Sequence, residues 1–161
     1  MARTGFPVRE GGTVFAVTER VSIARSPEDA FAFFADGRNR PRWDAAVISE
    51  RLTSAGPVAV GSTIHTRMRA MGREVDYDWR ITEFDPPTRM AIRSTAGILP
   101  MSSLLVFDAI PDGCSVTATI EGAAHGMLGL VEPIIAGEVR STLTAGLARA
   151  KFILEVPPTL G

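Results

Sequence analysis

Apolar and polar residues alternate with a period of two over much of residues 14–121, and the period changes to three or four from about Met127. The cleanest alternation runs from Glu74 to Phe84. Val75, Tyr77, Trp79 and Ile81 share one parity; Glu74, Asp76, Asp78 and Arg80 share the other. That is the pattern of an antiparallel strand with one wet face. Val14–Ala24 reads the same way, with Val17, Val21 and Ile23 set against Thr18, Arg20 and Ser22. Further strands are predicted at Val47–Thr53, Gly61–Met71, Met90–Ala96, Ser102–Ile110 and Cys114–Glu121. Turn residues separate them: Ala55-Gly56-Pro57, Gly72, Asp85-Pro86-Pro87 and Pro111-Asp112-Gly113. In the Gly61–Met71 strand Ile64, Thr66, Met68 and Ala70 face one way, and His65, Arg67 and Arg69 the other. The arginine row lies next to the acidic row of the following strand, so cross-strand pairs favour a hairpin, each exposed pair contributing only ~0.2–1 kcal/mol.

Helical signals fall in two places. Ser26-Pro27 is an N-cap followed by proline at the first helical position, with Glu28 and Asp29 in the first turn. Ala30, Phe31, Phe33 and Phe34 follow, Gly37 stops the helix, and a basic segment leads to Trp43 in a second short helix. Near the C-terminus Val131, Ile135, Val139, Leu143, Leu147, Ala150 and Leu154 fall within an arc of about 160°. They predict a long amphipathic helix ending before Pro157, with Pro133 either kinking its start or occupying its first turn.

The order is strand, two short helices, six strands and one long helix. It predicts an α+β fold: a seven-stranded curved antiparallel sheet wrapped around the C-terminal helix, with the short helices between strands 1 and 2. That helix is the only element large enough to cover the apolar face of the sheet. A curved sheet around a helix leaves space where a small ligand can bind.

The chain has 161 residues, the size of one domain. The expected division is an N-terminal arm at 1–12, a single domain at 13–156 and a tail at 157–161. Apolar residues are 45% and charged residues 22%, ordinary for a globular chain that needs no staple. Cys114 is the only cysteine, which fits a reducing compartment. No signal-peptide core and no run of ~18 apolar residues occurs, so a cytoplasmic protein without stable membrane insertion is expected. A net charge of −1 offers no electrostatic case for nucleic acid. A monomer or homodimer is expected.

Candidate chemistry is sparse. His65 and His125 are far apart and one cysteine makes no zinc set; no metal or cofactor is expected. No GxSxG, P-loop or GxGxxG occurs. The inward parities nominate Met68, Tyr77, Trp79, Ile92, Val106, Ile135, Val139 and Leu143 as ligand-binding residues, with Trp43 near the same cavity. Plain core packing is the competing reading for most of them. Tyr77 and Trp79 differ, because each brings an apolar body and one polar atom that needs a partner when buried. Catalytic candidates are Tyr77, Glu132 and Glu19. Glu132 lies in the apolar arc if the helix already runs there, and at a solvated helix start if Pro133 breaks it. Glu19 sits on an apolar parity, facing a cavity, an edge or a nearby arginine. Arg38, Arg40 and Arg42 either ring a pocket mouth or form a solvated basic turn.

Three motifs carry a resemblance: Ser26-Pro27-Glu28-Asp29-Ala30-Phe31 with Asp36 and Trp43; Ile81-Thr82-Glu83-Phe84-Asp85-Pro86-Pro87-Thr88-Arg89-Met90; and Leu143 to Glu155 with Leu147, Lys151 and Leu154-Glu155. In order and spacing they resemble the SRPBCC superfamily, which includes START lipid-transfer domains, birch-pollen-allergen-like proteins and polyketide cyclase/dehydrase proteins, the last being the closest in kind. The resemblance covers about residues 13–156. It implies the helix-grip fold and a hydrophobic cavity for a small apolar or amphipathic, lipid- or polyketide-like ligand. It leaves three functions open: a non-catalytic binder or carrier, a polyketide cyclase, aromatase or dehydratase, and a co-chaperone-like protein-interaction module.

Overall fold

A computed structural model of the chain describes residues 13–157; the arm at 1–12 and the tail residues 158–161 lie outside the described residues. Strand β1 (Thr13–Ile23) is followed by helix α1 (Pro27–Ala35), a 3-10 turn at Gly37–Asn39 and the short helix α2 (Arg40–Trp43). Six strands follow: β2 (Val47–Leu52), β3 (Thr63–Ala70), β4 (Arg73–Asp85), β5 (Arg89–Ala96), β6 (Met101–Ile110) and β7 (Gly113–Ala124). Helix α3 (Met127–Leu130) and the long helix α4 (Glu132–Glu155) complete it. The strands form one antiparallel sheet in the order β1-β7-β6-β5-β4-β3-β2.

The local reasons are visible. The Ser26 hydroxyl accepts the Asp29 N–H at 3.1 Å, capping α1 one residue before Pro27. Asp36 ends α1 and caps the 3-10 turn by accepting the Arg38 N–H at 3.0 Å. The β3–β4 hairpin turns through Met71 and Gly72, both at positive φ, 53° and 75°, as a two-residue turn matched to strand twist requires. On its wet face His65 meets Asp78 at 2.8 Å and Arg67 meets Glu74 at 3.1 Å.

The C-terminal helical segment is broken where the apolar arc alone ran on. Val131 leaves the helical conformation (φ −106°, ψ 12°), and α4 begins at Glu132 with Pro133 in its first turn. Proline has no N–H to donate, and the first turn of a helix asks for none. At the other end, carbonyls and side chains are tied to the β1–α1 corner. Arg25 Nε donates to the Leu154 carbonyl at 2.7 Å, Lys151 Nζ to the Ser22 carbonyl at 2.6 Å, and the Ala24 N–H donates to Glu155 at 2.9 Å.

The interior divides into two apolar clusters. The larger joins α1, α2, β1, β6, β7 and α4, and holds Phe31, Phe34, Trp43, Phe107, Val116, Leu143 and Leu147. The smaller lies on β3, β4 and β5 and holds Ile64, Tyr77, Trp79, Ile81 and Ile92. Helix α4 packs chiefly along β1, and α2 wedges between β2 and α4.

Candidate ligand pocket

Where the two clusters fail to merge, the sheet and α4 stand apart around a free volume of about 120 Å³. One wall is the sheet: Met68 of β3, Tyr77 and Trp79 of β4, Ile92 of β5, Ser103 and Leu105 of β6, Ala118 and Ile120 of β7. The facing wall is α4, through Ile135, Val139, Thr142 and Leu143. Trp43 and Arg40 of α2, with Asp44, close one end; the β5–β6 loop adds Ile98 and Leu99, and Met71 and Glu138 lie at the rim. The Met71 N–H points to Glu138 Oε1 at 3.4 Å, linking hairpin tip to helix.

Of the residues nominated from sequence, Trp43, Met68, Tyr77, Trp79, Ile92, Ile135, Val139 and Leu143 stand around this volume. Val106 does not. On β6 the inward residues are Leu105 and Phe107, both buried, and Val106 takes the opposite parity, against Arg89 and Thr117. Both parities of that strand are apolar, so alternation could not say which one faced in. Glu132 lies in the first turn of α4, away from the pocket wall, and Glu19 pairs with Arg140 at 2.7 Å across β1 and α4. Neither acid converges with Tyr77.

Tyr77 and Trp79 stack with ring centroids 5.0 Å apart and planes at 21°. The Tyr77 hydroxyl donates to the Leu99 carbonyl at 3.1 Å and accepts the Leu99 N–H at 3.3 Å. Burial pushes the phenol above its ordinary pKa, and the bond to Leu99 only partly opposes this. A neutral phenol pinned to a loop is a structural tie between β4 and the β5–β6 loop. Gly97 makes the tie possible: a Cβ there would run into the Tyr77 ring.

Trp43 lies edge-on to Phe34 at 5.0 Å, under the Arg40 guanidinium at 4.8 Å. Gly146 of α4 lets the helix approach; a Cβ there would sit 3.1 Å from the Trp43 carbonyl oxygen. The Trp43 indole Nε1 is buried with no hydrogen-bond partner among the described residues.

The ionisable pair on the pocket is Arg40 with Asp44. Arg40 donates through Nε and Nη2 to Asp44 Oδ2 at 3.1 and 2.9 Å, and Asp44 Oδ1 accepts the Ala46 N–H at 3.0 Å. Burial alone would lower the Arg40 pKa, but Asp44 and Glu50 outweigh it and hold the guanidinium charged. Glu50, behind the pair, accepts the Thr66 hydroxyl at 3.1 Å; burial raises its carboxyl above the ordinary range, and Arg40 offsets only part of this. Arg38 instead pairs with Asp36 in solvent, and Arg42 bonds Asn39. Sequence reasoning passed over Asp44, whose signal was its i,i+4 spacing from Arg40. It also passed over Leu99, Ser103 and Thr142, which only the tertiary fold brings here.

A seven-stranded antiparallel sheet gripping a long C-terminal helix, with short helices between the first two strands, defines the helix-grip class, and with it the SRPBCC superfamily. The chain belongs to the family described as polyketide cyclase/dehydrase and lipid transport, whose family model matches residues 14–155. An uncharacterized protein of Mycobacterium tuberculosis is 31% identical over 125 residues, covering 71% of this chain and 72% of its own. Among solved structures, the protein TTHA0849 of Thermus thermophilus is similar with a TM-score of 0.75 at 17% identity, covering 86% of this chain and 96% of that one. A START superfamily protein from Mycobacterium smegmatis is similar with a TM-score of 0.71 at 12% identity, covering 86% and 98%. At those identities the likeness is one of fold. No helix among the described residues is long and apolar enough to cross a membrane. Among them no group of three or more histidine, cysteine, aspartate or glutamate side chains could hold a metal ion.

Proposed function

We propose that this protein binds a small hydrophobic or amphipathic molecule in the pocket between sheet and α4, as a carrier or receptor and without transforming it. The observation that carries the reading is the state of the ionisable groups. Arg40 and Asp44 are bonded to each other, the Tyr77 phenol is bonded to Leu99, Arg69 and Glu138 are exposed at the rim, and Glu132 and Glu19 stand elsewhere. A cyclase or dehydratase needs convergent groups free to move a proton, and the family description keeps that alternative in view.

Binding is tested with the neutral fluorophore N-phenyl-1-naphthylamine. Saturable enhancement at one site is expected, and Val139→Trp, which fills the pocket from the helix side, should abolish it while the far-ultraviolet circular dichroism stays native. No enhancement with the wild-type protein, or equal enhancement with the filled pocket, would overturn the reading.

A further inference from the structure

We infer that the ligand is uncharged where the pocket encloses it and carries a hydroxyl or carbonyl oxygen that hydrogen-bonds Ser103 on the sheet and Thr142 on the helix. This rests on the pocket-binding reading above and narrows its ligand class.

Ser103 lies on the inward parity of β6, between Met101 and Leu105. Its cross-strand partners are Ile92 on β5 and Ile120 on β7, both on the pocket wall. A hydroxyl flanked by two isoleucines is a polar point in an apolar wall. Thr142 is the corresponding point on α4, beside Leu143 and one turn from Val139. Among the described residues no hydrogen bond reaches either hydroxyl, nor the indole N–H of Trp79 or Trp43. A wholly apolar ligand would strip water from the two hydroxyls and leave their hydrogen bonds unmade, at roughly 1–3 kcal/mol each. An oxygen-bearing ligand replaces what it displaces.

The charged groups argue against an anion inside. Arg40 is the cation on the enclosed wall, and it already meets Asp44, with the Glu50 carboxyl behind. Arg69, also on the pocket, is exposed at the rim. A carboxylate drawn in among Ile92, Ile120 and Val139 would lose its hydration without gaining a free countercharge.

The test titrates three probes of one shape, naphthalene, 2-naphthol and 2-naphthoate, at neutral pH. Binding is followed by the indole N–H resonances of Trp43 and Trp79. 2-Naphthol should bind about fivefold tighter than naphthalene and more than tenfold tighter than 2-naphthoate. Ser103→Ala should weaken 2-naphthol by about fivefold, because its bond is lost, and tighten naphthalene, which no longer desolvates that hydroxyl, so that the preference for the hydroxylated probe disappears. Thr142→Val should act in the same direction. Binding of 2-naphthoate equal to or tighter than 2-naphthol overturns the inference, as does 2-naphthol affinity unmoved in both variants. Naphthalene binding with no preference for its hydroxylated form overturns this inference alone; failure of all three probes removes the pocket-binding reading and this inference with it.

Discussion

The two arms of the sheet are built from similar strands but finished differently. Over β1 and the stretches of β6 and β7 around Phe107 and Val116 the interior is filled: Phe31, Phe34 and Phe107 meet edge-on with centroids 5.2 to 5.8 Å apart, and Trp43 joins them. Over β3, β4 and β5 the stacked Tyr77–Trp79 pair faces the pocket instead. The difference comes from what lies opposite. Helix α1 delivers Phe31 and Phe34 onto one arm, and the C-terminal half of α4 closes on them through Leu143, Leu147 and Ala150. Over the pocket, the N-terminal half of α4 presents Ile135, Val139 and Thr142, and the adjoining stretches of β6 and β7 include the small residues Ser103 and Ala118. The size of the residues facing α4 thus decides where the interior is filled and where space is left.

The largest effect that would break this comparison is truncation on the filled arm. Phe34→Ala should cost about 3–5 kcal/mol in urea denaturation, the range for a buried aromatic ring with close partners. Met68→Ala, on the pocket wall, should cost less than about 2 kcal/mol, because its side chain already borders free space and its loss creates little new void. Equal costs at the two sites would mean that the pocket is packed in solution and the contrast between the arms is false.

A smaller effect separates structural from ligand-directed polar groups. Tyr77→Phe removes the bonds to both polar atoms of Leu99 and should lower stability by about 1–1.5 kcal/mol. Its affinity for N-phenyl-1-naphthylamine should stay within about threefold of wild type, since the hydroxyl is turned to the loop. Unchanged stability with a tenfold loss of affinity would make Tyr77 a ligand contact and reverse its assignment.

How much of this was legible in the chain follows the same division. Strict alternation placed Tyr77 and Trp79 on one face, and helical spacing placed Ile135, Val139 and Leu143 on another; both are local patterns, and the antiparallel sheet with its terminal helix followed. Val106 was misassigned because β6 is apolar on both parities, and only its place between β5 and β7 decides between them. Glu132 followed an arc that the break at Val131 interrupts. The partners of polar groups were the least legible. Tyr77 finds Leu99 across the β4–β5 hairpin and its following loop, and Glu19 finds Arg140 across most of the chain. Nothing in local periodicity encodes such pairings; they exist only once the sheet has closed on the helix.

The smallest effect concerns the acid behind the pocket. Burial raises the folded-state pKa of Glu50 above its ordinary value of 4.5, and Arg40 compensates only in part. An acid with a raised folded pKa contributes stability that is present in full below its unfolded pKa and is lost as pH rises through the folded value. Relative to wild type, Glu50→Gln should therefore be neutral or slightly destabilising near pH 4 and stabilising near pH 7, with the difference in Tm growing across that window. Glutamine keeps an oxygen for the Thr66 hydroxyl, so the comparison isolates the charge. A variant less stable than wild type at pH 7 would mean that Arg40 relies on Glu50 as much as on Asp44. The pocket would then have a cation held by two carboxylates, each needed, and the closed end would owe its order to that triad as well as to the aromatic packing beneath it.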